Sequence, residues 1–157
     1  MKLQYLGDSK DSFKWDYHHF LVQALGYSRL KIAWVITPDD DSSEGRTAPG
    51  LFPASPEVIC LCKKLHTTRN PELLLGLPTA TGANYEISFH PSVQHLNGST
   101  PSSFFSGISV ENRQVILLDP DKGLEPERSS SDGYVRYAPN QIHSSRYRSD
   151  GVSTSPP

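Results

Sequence analysis

An α/β fold, with a mostly parallel sheet flanked by helices, is predicted by three features of the 157-residue chain. Two short runs, LKIAWVI at Leu30–Ile36 and QVILL at Gln114–Leu118, are apolar with almost no polar interruption, as strands covered on both faces are. Segments with helical signals lie before and between them, and strands that alternate with helices build parallel sheets. The length suits a single domain, placed at residues 1–142, with a polar tail over 143–157 whose composition is that of a disordered segment.

The opening MKLQYLG is followed by GDSKDS, which supplies turn and capping residues for a helix. Phe13, Tyr17, Phe20, Leu21, Ala24 and Leu25 recur at helical spacing, and Gly26 marks the stop. The first strand runs into Thr37-Pro38-Asp39-Asp40-Asp41, and the Gly-, Pro- and Ser-rich stretch that follows predicts a long loop. Ser55 stands at a helix N-cap with Pro56 at the first helical position, opening PEVICLCKKLH. NPELLLGLP predicts one further short helix, and Tyr85–Phe89 alternates as a strand that His90-Pro91 ends. Gln114–Leu118 gives way to Asp119-Pro120-Asp121, and a weaker strand at Tyr134–Tyr137 precedes a short helix near Asn140.

Leu30–Ile36 and Val115–Leu118 are expected to be adjacent parallel strands in the middle of the sheet, because both are apolar on both faces. A sheet of this type normally has more strands than the two strong and two weak ones found here. The polar stretch from His143 is therefore read as the place where further strands are absent, a C-terminal truncation.

A formal charge of -2 supplies no overall positive field to attract nucleic acid or an anionic membrane. No window approaches the roughly 18 uninterrupted apolar residues of a membrane span, and the first residues lack a signal-peptide core, so a cytoplasmic location is expected. Cys60 and Cys62 lie two apart within a helix and point in different directions, which favours neither a disulfide nor a shared metal site. The six histidines show no metal-ligand spacing, and no serine sits in a hydrolase elbow.

Chemistry is expected where the apolar strands release acids. Asp39 and Asp40 follow the first strand, and Asp119 and Asp121 the last, with Glu125 and Glu127 close behind. In an open parallel sheet ligands bind at the C-terminal strand edge, and carboxylates converging there can hold Mg²⁺, accept ribose hydroxyls or act as a base. Asp-Pro-Asp also turns a chain out of a strand, so turn chemistry competes with function. Asp8 or Ser9 is expected to cap the first helix, although Gly7-Asp8-Ser9 could instead present N–H groups to an anion. Neither GxGxxG nor a P-loop motif is present. Asp121-Lys122 with Asp39 gives a loose match to a restriction-type nuclease site, which Pro120 interrupts.

YLGDSKDSFKWD, the TPDD after the first strand, EGRT and VILLDPDKGLEPE together resemble a group of little-characterised prokaryotic proteins. That group opens with YLGDxxDxFKxD and carries an LDPDNGLE-like strand end. The matched positions are Gly7, Asp8, Asp11, Phe13, Lys14, Asp16, residues 37–40 and 44–46, Asp119, Pro120, Asp121, Gly123, Leu124 and Glu125. Lys122 replaces the expected asparagine, and the chain beyond Gln141 lacks the later apolar strand and basic segment that the resemblance implies. A weaker similarity, at the level of fold, is to Rossmann-like methyltransferases, in which an apolar strand ending in Asp-Pro borders the reacting group.

The leading expectation is a Rossmann-like protein that uses a nucleotide or S-adenosylmethionine, or a degenerate relative of such an enzyme. Asp119 and Asp121 would be its catalytic residues, and Asp8, Asp39 and Asp40 would line the cofactor. A Mg²⁺-dependent nuclease or phosphoryl-transfer enzyme using Asp39, Asp119 and Asp121 is the alternative, and a non-catalytic interaction protein the third reading.

Overall fold

The computed structural model describes residues 2–40, 45–90 and 108–119. Within them the chain forms α1 (Ser9–Ala24), β1 (Arg29–Trp34), α2 (Pro56–Thr68), α3 (Leu77–Ala80), β2 (Glu86–Phe89) and β3 (Gln114–Asp119), with 3₁₀ turns at Leu3–Tyr5 and Pro71–Gly76. The three strands are parallel, in the order β2-β1-β3. Tyr134–Tyr137, Asn140, Asp121 and the 143–157 tail lie outside the described residues.

Asp8 caps α1, accepting from the Asp11 N–H at 2.9 Å. Ser55 occupies the N-cap position of α2, but its hydroxyl and N–H both donate to Asp16 Oδ1, at 2.7 and 3.1 Å, tying the start of α2 to α1. His19 Nδ1 lies 3.2 Å from the Tyr85 hydroxyl and links α1 to the segment entering β2. Leu30, Ile32, Trp34 and Ile36 share one core with Trp15 and Val22 of α1 and Val58, Cys62 and Leu65 of α2. The opposite face of β1 is buried as well: Lys31, Ala33 and Val35 have almost no exposure. The Lys31 ammonium is satisfied by the Ser109 carbonyl and hydroxyl, at 3.0 and 2.9 Å.

β1 and β3 are adjacent and parallel, with Leu30 opposite Val115 and Trp34 opposite Asp119, and among the described residues only β1 has a strand on both sides. Among the described residues β3 pairs with β1 alone, and Leu118 is 42% exposed. An apolar run therefore marks a strand without fixing its place in the sheet. The periodic apolar residues of α1 also do not face the core: Phe13, Tyr17, Phe20 and Leu25 are all about half exposed. The buried side of α1 is instead Ser9, Asp11, Ser12, Trp15 and Val22. Ser12 and Asp11 are tolerated there because their oxygens are bonded: Ser12 Oγ donates to the Ser9 carbonyl at 2.8 Å, and Asp11 accepts from Gly7.

No helix among the described residues is long and apolar enough to cross a membrane.

Candidate functional site

β1 and β3 lie side by side and parallel, so their C-terminal ends share one edge of the sheet. From β1 the chain crosses to β2 on one side, then returns past β1 to β3 on the other. In parallel sheets ligands bind outside the C-terminal ends of the strands. Trp34 and Asp119, paired in register, are the last residues of β1 and β3 at that point.

α1 brings its charged residues to the same place. Lys14 Nζ lies 2.8 Å from Asp119 Oδ2 and 2.7 Å from Asp11 Oδ1, bridging the two carboxylates, and 4.8 Å from the centre of the Trp15 ring. Asp11 Oδ2 accepts the Gly7 N–H at 2.8 Å, so each of its oxygens has a donor. Burial is the largest influence on Asp11 and pushes its carboxyl above the ordinary range, against the Lys14 charge and the Gly7 N–H. Burial opposes charge on Lys14 as well, but the two carboxylates outweigh it and hold the ammonium protonated far above the usual lysine range. Lys14 is therefore a cation at any physiological pH.

His18 Nδ1 lies 2.8 Å from the Lys14 carbonyl and must donate to it, which leaves Nε2 as the acceptor nitrogen of a neutral ring. Burial depresses its pKa, and the Lys14 charge adds to that, against the hydrogen bond to the Lys14 carbonyl and the Asp119 charge. Asp11, Lys14 and His18, spaced three and four apart, form one stripe along α1.

The acids expected at this edge divide into two groups. Asp8, Asp11 and Asp119 are linked around the start of α1. Asp39 and Asp40 are engaged by the N-terminal segment: Asp39 Oδ1 accepts the Gln4 N–H at 3.0 Å, Asp40 Oδ1 accepts Gln4 Nε2 at 2.8 Å, and Asp40 pairs with Lys2. The α1 N-terminus that might have held an anion is taken up by the protein's own Asp8 and Asp11. Sequence reasoning missed Lys14 and His18 as partners of Asp119. The spacing of three between Asp11 and Lys14 marks them as a pair on one helix face, as found, but points to no partner on β3.

No protein family, curated protein or solved structure matches the chain.

Both cysteines are free, with Cys60 exposed and Cys62 buried. Burial, with the Asp11 charge adding to it against Lys14, pushes the Cys62 thiol up to about 12. A thiol titration of the native protein is expected to modify Cys60 alone, and both cysteines after denaturation. Two thiols reacting rapidly in the native state would show that α2 opens readily beside the site.

Proposed function

We propose that the chain is a Rossmann-like α/β protein that binds a nucleoside-bearing ligand, a nucleotide or S-adenosylmethionine, in the crevice between the C-terminal ends of β1 and β3. The observation that carries this reading is the pairing of Asp119 with Lys14 at the C-terminal ends of β1 and β3. Asp119 Oδ2 is committed to Lys14, and Oδ1 is left to accept the hydroxyls of a ribose. Lys14 fixes the carboxylate in place, and the neutral His18 ring supplies a basic nitrogen nearby for proton transfer. The two segments that build this site, residues 5–16 and 115–119, lie within the portions of the chain that carry the resemblance to the prokaryotic group.

The Mg²⁺-dependent reading is less favoured because an ammonium already occupies the space between Asp11 and Asp119, and a divalent ion there would face that charge. Among the described residues, no three histidines, cysteines or acids converge as metal ligands.

The test is a thermal-shift and calorimetric screen of nucleoside mono-, di- and triphosphates and S-adenosylmethionine, with Mg²⁺ alone as the competing arm. A ligand that binds only the folded state at a hundredfold its Kd adds about 2.7 kcal/mol of stability. Asp119→Asn is expected to cost only about 1 kcal/mol unliganded, because Lys14 keeps Asp11, and to abolish the response to ligand. A shift with Mg²⁺ alone that Asp119→Asn removes would replace this reading with the metal-dependent one. An unaltered ligand response would take Asp119 out of the site.

A further inference from the structure

The side of α1 turned away from the buried Trp15 and Val22 carries Lys10, Phe13, Tyr17, Phe20 and Ala24, all exposed. Their separations run three, four, three, four, the repeat of a seam between two packed helices. Phe13 is 54%, Tyr17 49% and Phe20 61% exposed, where a surface helix ordinarily presents polar residues. The Phe13 and Tyr17 rings stack with centroids 6.4 Å apart and planes 13° from parallel, giving the ridge a flat apolar surface. Beside it, a loop is pinned to α1 one turn apart, through the Gly50 N–H to Ser12 Oγ at 3.4 Å and Ser55 to Asp16. Leu51 and Phe52, in the loop between these pins, are exposed too. An apolar surface of this extent marks an interaction site.

We infer that this ridge is a homodimer interface in which α1 packs antiparallel against α1 of a second copy. In the register the repeat dictates, Phe13 faces Ala24 of the partner subunit and Tyr17 faces Phe20 of the partner subunit. Large lies opposite small at both ends, and aromatic on aromatic in the middle. The same patch serves both copies, as a two-fold axis requires. Each half-exposed aromatic offers about 100 Å², and with the flanking side chains each copy buries about 500 Å². The total of about 1,000 Å² is the least that a biological interface buries and below the standard size, so the dimer is a weak one. A net charge of -2 opposes pairing only weakly.

Light scattering and sedimentation of the full chain at roughly 100 µM, well above the micromolar Kd such an interface reaches, are expected to give twice the monomer mass. Phe20→Glu sets a carboxylate against Tyr17 of the partner subunit and is expected to raise the dimer Kd at least tenfold. Because Phe20 is exposed, the far-UV signal and Tm of the diluted monomer should not change. In a Cys60→Ser background, an equimolar mixture of Phe13→Cys and Ala24→Cys chains is expected to form disulfide dimers that neither chain forms alone. Like positions lie roughly 16 Å apart along this antiparallel pair. A monomer at this concentration, an open-ended oligomer, a dimer indifferent to Phe20→Glu, or Phe13→Cys linking to itself would each overturn the inference. A monomer would mean that another partner covers the ridge.

Discussion

Lys14→Met is expected to lower the unfolding free energy by about 3 kcal/mol at neutral pH, because it removes the cation from two carboxylates, one of them fully enclosed. Methionine keeps most of the side-chain volume, so the loss is electrostatic. Asp119 is partly open and regains water, whereas Asp11, with a side chain 5% exposed, keeps only the Gly7 N–H. The sign of the pH dependence follows from Asp11. Its carboxyl already lies above the ordinary range through burial, and losing Lys14 moves it further up. A carboxyl raised in the folded state contributes stability below its unfolded pKa, near 4, and that contribution is lost as pH rises through the folded value. The deficit of Lys14→Met is therefore largest at pH 7 and shrinks toward pH 4. Lys14 in the unaltered protein stays charged across this window and adds no slope of its own. Urea denaturation of both proteins at the two pH values measures the difference. An equal deficit at both would show that Lys14 acts through packing on Trp15 and not through the Asp11 charge.

Much of the sheet was legible because its signals are local. β1 and β3 announce themselves as apolar runs, and their parallel pairing follows from helices intervening between strands. How many neighbours β3 has was not legible, since a run such as QVILL is apolar whether or not a second strand lies beside it; among the described residues it pairs with β1 alone. The buried face of α1 was hidden for a different reason. Phe13, Tyr17 and Phe20 repeat at helical spacing on the exposed side, while the face that packs is built from Trp15, Val22 and polar residues such as Asp11 and Ser12 that are hydrogen-bonded inside the fold. Asp119 stood out because a carboxylate follows the most apolar strand of the second half. Its partner lies 105 residues away, and tertiary contacts of that length leave no mark in spacing. Asp39 and Asp40 illustrate the converse. They stand at the predicted strand end, yet the first few residues of the chain engage them, a pairing that no motif indicates.

Gly7→Ala is expected to be still more damaging, at roughly 4 kcal/mol, from two additive causes. Gly7 sits at φ +78°, a conformation that strains any residue bearing a Cβ. A Cβ there would also come within 2.5 Å of the Cys62 carbonyl oxygen and the His66 nitrogen, and 2.8 Å of Leu65 Cβ. The first two are backbone atoms of α2, which cannot turn aside as a side-chain tip can, so the start of α1 must move away from α2. That movement reaches the site, because the Gly7 N–H holds Asp11 Oδ2 and the next residue, Asp8, caps the helix. Gly82→Ala separates the two causes: Gly82 has φ +67° but nothing within 4 Å of its would-be Cβ, so it reports backbone strain alone, about 1 kcal/mol. Denaturant melts of the two variants should therefore differ by about 3 kcal/mol, with the ligand response lost in Gly7→Ala and kept in Gly82→Ala. Equal losses in both would mean that α1 and α2 do not meet as closely at Gly7 as the geometry requires, and that the Asp11-Lys14-Asp119 bridge does not depend on that contact.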